Sequence, residues 1–115
     1  CCRLIEVVGL GRAKQLAMLG ELVTAQQAEA MNLVNFVVPA AELPAKTREI
    51  AETFKKKAPL AVGMVKHVMN TARGQDPTTG RILERLGGSV IVATEDAREG
   101  VRAFKEKRPP RWSGR

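Results

Sequence analysis

Three features of the chain predict a mainly α protein of about five or six helices with one short strand. Apolar residues recur at helical spacing over most of the length, helix start signals repeat along it, and a single β-branched run is short and closed by proline. A composition of 44% apolar and 27% charged residues belongs to a globular rather than a disordered chain, and 115 residues can bury one modest core. With three Phe, one Trp and no Tyr, that core has to be built from Ala, Val, Leu, Ile and Met between closely packed helices.

The first helix is expected over Arg12 to Leu19, with Gly9 and Gly11 as a flexible entry and Gly20 as a left-handed cap. Before it, Leu4-Ile5-Glu6-Val7-Val8 is apolar and has no lead-in. Thr24-Ala25-Gln26-Gln27 has the form of a capping box, in which the Thr24 hydroxyl and the Gln27 side chain satisfy free amides of a second helix. Asn32 marks the end of that helix, because Asn tolerates a left-handed position better than other residues with a Cβ. Leu33-Val34-Asn35-Phe36-Val37-Val38 then reads as the strand, closed by Pro39.

From Ala41 to Lys57, Leu43, Thr47, Ile50 and Phe54 fall at helical spacing, and Pro44 is tolerable only in a first turn, so this helix starts just before it. Pro59 opens the next, with Ala61, Met64, Val65, Val68, Met69 and Ala72 on one face and Gly74 beyond its end. Asp76-Pro77 repeats the start signal ahead of Ile82, Leu86, Val90 and Ala93. In the last helix Asp96 and Glu99 form a capping arrangement, Ala97, Val101 and Phe104 form the buried stripe, and Pro109-Pro110 is the stop.

The charge is placed unevenly. Residues Arg98 to Arg115 hold seven Lys/Arg against two Glu, so +5 of the net +7 lies there and an anion is the natural partner. Phe104 and Lys107, on adjacent turns, suit a nucleotide: a ring to lie against a base and an ammonium to meet a phosphate. Rival residues have plainer roles. His67, the only histidine, has no nucleophile near it in the sequence and is assigned no chemistry. Glu95, Asp96 and Glu99 sit at a helix start, where capping and dipole stabilisation account for them. Lys55-Lys56-Lys57 is a solvated helix end, and Trp112 covers apolar surface at a subunit contact or lines a pocket. Cys1 and Cys2 have no partners for a disulfide framework or a zinc site, so no metal ligands are assigned. No apolar run of about 18 residues and no signal peptide is present, which gives an expectation of a soluble, intracellular protein.

Read in order, the segments resemble the C-terminal half of the crotonase family, the enoyl-CoA hydratases and isomerases. The resemblance is carried by Arg3-Leu4, Val8-Gly9 and Ala13-Lys14-Gln15-Leu16; by Leu19-Gly20-Glu21-Leu22-Val23-Thr24-Ala25-Gln26-Gln27-Ala28; by Leu33 to Pro39; by Ala58-Pro59-Leu60-Ala61 with Lys66 and Asn70; and by Glu95 to Phe104 with Glu106-Lys107-Arg108-Pro109-Pro110. It implies the C-terminal helical part of an α/β crotonase (ClpP/crotonase) fold. Residues 1–39 would end the crotonase core, and residues 40–115 would form a helical cover and trimerisation region.

That resemblance implies an acyl-CoA substrate, with coenzyme A carried by the substrate rather than as a prosthetic group. Family members hold the thioester oxygen with two backbone amides and move protons with one or two carboxylates, to add water across a 2,3 double bond or to shift that bond. These catalytic groups are expected upstream of Cys1, so no catalytic residue is assigned within the chain, which reads as a piece of something longer and should be inactive alone. Carried over are the CoA contacts, Phe104 near the adenine and Lys107 near the phosphates. A second aromatic that the family can place near CoA falls around Gly88 here. The resemblance also implies a role in fatty acid metabolism, a missing N-terminal half as partner, a homotrimer or hexamer, no membrane, and a cytoplasmic location or the mitochondrial matrix in a eukaryote. The alternatives are a basic nucleic-acid-binding module, motivated by the pI near 10.0, and a purely structural oligomerisation segment. The first lacks aromatic interleaving and a helix-turn-helix, which makes nucleic acid an unlikely partner.

Overall fold

A computed structural model describes residues 2–115, so the expectation for Cys1 lies outside the described residues; Cys2 is an exposed free thiol. The chain forms two compact units, Cys1–Lys46 and Thr47–Arg115.

In the first unit, α1 (Cys2–Leu19) is interrupted at Gly9, whose φ of 77° and ψ of 161° are not helical. The expected helix over Arg12 to Leu19 is its second part, and the apolar segment before Gly9 is helical as well. Gly20 adopts φ 65° and donates to the Leu16 carbonyl at 3.2 Å, the left-handed stop that its position predicts. Helix α2 (Ala25–Ala30) carries the complete capping box: Gln27 N–H donates to Thr24 Oγ1 at 3.2 Å, and Thr24 N–H donates to Gln27 Oε1 at 2.8 Å. Asn32 takes φ 61°, and the bonds Asn32 N to Glu29 O (2.9 Å) and Leu33 N to Ala28 O (2.8 Å) close a Schellman turn.

The expected strand over Leu33 to Pro39 does not form, and no strand occurs among the described residues. A strand needs a neighbour for its ladder. Here the Val37 N–H is taken instead by the Glu29 carboxylate at 3.2 Å. The β-branched run thus marks non-helical backbone without a sheet partner. Lys46 Nζ stands 5.0 Å from the centre of the Phe36 ring, a cation–π contact. A 3₁₀ turn, Ala40–Glu42, leads into α3 (Leu43–Lys55), which starts one residue before Pro44 as expected.

The second unit contains the continuation of α3, then α4 (Pro59–Ala72), α5 (Pro77–Val92), α6 (Glu95–Lys105) and a C-terminal tail. Asp76 caps α5 by accepting from Thr78 N and Thr79 N, and these bonds, the Thr79 hydroxyl first, hold its carboxyl below the usual range. Helices α4 and α5 approach closely at Gly87: a Cβ there would lie 2.9 Å from Val68 Cγ2 and 3.1 Å from Met64 Cγ.

Three expectations for α6 need correction. Its cap is Thr94, whose hydroxyl accepts from Ala97 N at 3.1 Å, not Asp96 with Glu99. It ends at Lys105, before Pro109-Pro110, because Lys107 turns left-handed with φ 53°. Its buried residues are Asp96 and Ala103, whereas Val101 is 58% and Phe104 86% exposed. The tail folds back over the face that Asp96, Gly100 and Ala103 present at i, i+4 and i+7, which leaves the expected stripe outside.

Candidate functional site

The tail is strapped to α6 by two acids. Asp96, 2% exposed, accepts from Ser113 N at 2.6 Å, from the Ser113 hydroxyl at 3.1 Å and from Gly114 N at 3.0 Å. Its own N–H donates to the Arg115 carbonyl at 3.1 Å. Trp112 packs within its own unit: its ring lies over Gly100, and its indole N–H donates to the Lys56 carbonyl at 2.8 Å. Small residues at positions 100 and 103 let this ring and the tail approach the helix.

Glu99 holds the middle of the tail. Its two oxygens receive Arg108 Nη1 at 2.6 Å and Nη2 at 3.0 Å, and Arg111 N–H adds a third bond at 2.8 Å. The Arg108 guanidinium and then the Arg111 amide hold the Glu99 carboxyl down to about 2. Arg108 also pairs with Glu106, and the two carboxylates raise its already high basicity further.

Between these anchors lies the end of α6. Lys107 N–H donates to Phe104 O at 3.3 Å and Arg108 N–H to Ala103 O at 3.1 Å, a second Schellman turn, with Lys107 at its left-handed position. Phe104 stands in solvent on the last turn, and the Lys107 ammonium forms no ion pair among the described residues. The structure therefore places both sequence-predicted binding residues at one helix end, exposed. An exposed ring and an exposed ammonium carried on the same helix end are groups of the kind that suit a planar base and a phosphate.

The other candidates have separate places. His67 is exposed on α4, and among the described residues no group of three or more His, Cys, Asp or Glu is placed to hold a metal ion. Glu95 and Asp96 lie in the first turn of α6, where negative charge is favoured, but Asp96 and Glu99 act mainly on the tail. Lys55 pairs with Glu52 at 2.7 Å at the end of α3. Gly88 is exposed with no atom near an added Cβ, and it lies on an apolar groove of about 740 Å³ between α4 and α5. Arg108 joins this site without a functional signal of its own in the sequence. Its partner Glu99 is nine residues away across a helix end, a separation without a periodic signature; a basic residue directly after the last turn was the only hint.

The sequence model of the enoyl-CoA hydratase/isomerase family matches residues 1–115. A crystal structure of an enoyl-CoA hydratase from Bacillus anthracis is similar with a TM-score of 0.95 and 39% identity, over 98% of this chain and 44% of that one. Among curated relatives, the 2,3-dehydroadipyl-CoA hydratase of Escherichia coli is 34% identical over 98% of this chain and 44% of its own length. The mitochondrial methylglutaconyl-CoA hydratase of Mus musculus is 31% identical over 97% of this chain and 37% of its own length. The chain thus spans less than half the length of the relatives it matches.

Proposed function

The chain belongs to the enoyl-CoA hydratase/isomerase family, and from that premise we propose that it is the CoA-facing helical part of an enzyme acting on acyl-CoA thioesters. The whole protein adds water across the 2,3 double bond, hydroxyl to C3 and proton to C2, or moves that bond. Both reactions pass through an enolate whose oxygen is held by backbone amides. Those amides and the proton-moving carboxylates are supplied by sequence upstream of Cys1. The acids of α6 are assigned no chemistry, because Asp96 and Glu99 are committed to the tail.

Phe104 lies against the adenine of CoA and Lys107 meets its phosphates. The observation that carries this reading is the exposure of both groups on one helix end, with Lys107 in a left-handed turn and without a carboxylate partner among the described residues. The exposed faces of the helices pack in a homotrimer or hexamer and against the upstream half, and the enzyme serves fatty acid metabolism in the cytoplasm or mitochondrial matrix. Among the described residues, no helix is long and apolar enough to cross a membrane.

Turnover of crotonyl-CoA is the test. The whole protein should hydrate it, and the 115-residue chain alone should not. Turnover by the pure chain that is lost on mutating one of its own carboxylates would contradict the reading. So would a whole protein that neither hydrates nor isomerises any enoyl-CoA.

A further inference from the structure

Resting on the assignment of Phe104 and Lys107 to CoA, we infer that Glu99 is a positioning residue for that contact: it anchors Arg108, which sets the turn that presents Lys107 and occupies the carboxylates that would otherwise neutralise it. Lys107 has φ 53°, a conformation unfavourable for a residue with a Cβ. It persists because the next residue is fixed twice. The Arg108 N–H is bonded to Ala103 O at 3.1 Å, and the Arg108 guanidinium is gripped by both oxygens of Glu99 at 2.6 and 3.0 Å. The Glu99 carboxylate also receives the Arg111 N–H, so the chain is pinned on both sides of Pro109-Pro110.

The electrostatics point the same way. Glu106, adjacent to Lys107 in the chain, is paired with Arg108, and Glu99 is shared between Arg108 and Arg102. The Glu99 and Arg108 side chains are only 12% and 32% exposed, so their pairing is screened less than an open surface pair. Both acids are thereby engaged by arginine, while the Lys107 ammonium has no ion-pair partner among the described residues. A two-pronged contact of this kind requires the planar fork of arginine.

The experiment is a double-mutant cycle on the whole protein, read as the dissociation constant of coenzyme A at several salt concentrations. E99Q should weaken CoA binding about fivefold and flatten its salt dependence, whereas beside K107A the same change should cost less than about 1.5-fold. R108K keeps the charge but loses the fork; it should repeat both results, and it serves as the second variant if E99Q does not fold. Equal losses from E99Q with and without Lys107 would assign Glu99 to the fold alone and overturn the inference, as would an E99Q protein with unchanged CoA affinity. If K107A itself leaves CoA affinity unchanged, the CoA reading fails and this inference falls with it.

Discussion

Lys107 stands in a backbone conformation that crowds its Cβ against the following carbonyl, at the residue proposed to meet a phosphate. Stability and binding should therefore separate there. Lys107→Gly is expected to raise unfolding free energy by roughly 0.5–1 kcal/mol while losing as much CoA affinity as Lys107→Ala, measured by thermal melts beside CoA titrations. Phe104, at 86% exposure, contributes little to the fold. Phe104→Ala should change stability by less than about 0.5 kcal/mol, yet weaken CoA binding with little salt dependence. Glu99 is a pH probe. Its folded carboxyl is held at about 2 against an ordinary 4.5, a depressed value, so its contribution is complete above the unfolded value and is lost as pH falls towards 2. The melting-temperature difference between wild type and Glu99→Gln should be constant from neutrality to about pH 5 and shrink below it; a difference that grows on acidification would contradict the pairing.

At the scale of elements, helix ends were the most legible part of the sequence because their chemistry is local. Thr24 with Gln27, Asn32, Gly20, Pro44 and Asp76 each act within a few residues of themselves, and each does in the structure what its residue type predicts. Long-range choices were not legible. Whether Leu33 to Val38 pairs into a sheet depends on a neighbour outside the segment, and which face of α6 is buried depends on a tail that returns over it. At the proposed site, the residue types and spacing single out Phe104 and Lys107, which the structure leaves exposed at one helix end, whereas the Glu99–Arg108 contact was not legible because it crosses that helix end. Close packing of α4 on α5 provides a matched test. Gly87→Ala must displace the stiff Val68 side chain and should destabilise by about 1 kcal/mol or more, whereas Gly88→Ala meets no atom and should be neutral or stabilising by up to about 1 kcal/mol. Chemical denaturation of the two variants checks the pair.

For the whole molecule, the surface is the telling quantity. Large apolar side chains stand in solvent in each of the two units. Leu22 is 100% and Val92 74% exposed, and only Ala13, Ala28 and Ala103 are buried apolar residues among those described. Such faces are covered by association in stable proteins. The chain produced alone should self-associate in sedimentation experiments, and a cooperatively unfolding monomer at all concentrations would argue against this.

Titrating coenzyme A into the whole protein and its Lys107→Ala variant across a range of salt shows whether this chain supplies the nucleotide contact of an acyl-CoA enzyme. The variant should lose about 1 to 2 kcal/mol of CoA affinity, most at low salt and less as salt rises. Unchanged CoA affinity, with weakened binding to RNA or DNA in the same variant, would contradict it and assign the basic end of the chain to nucleic acid.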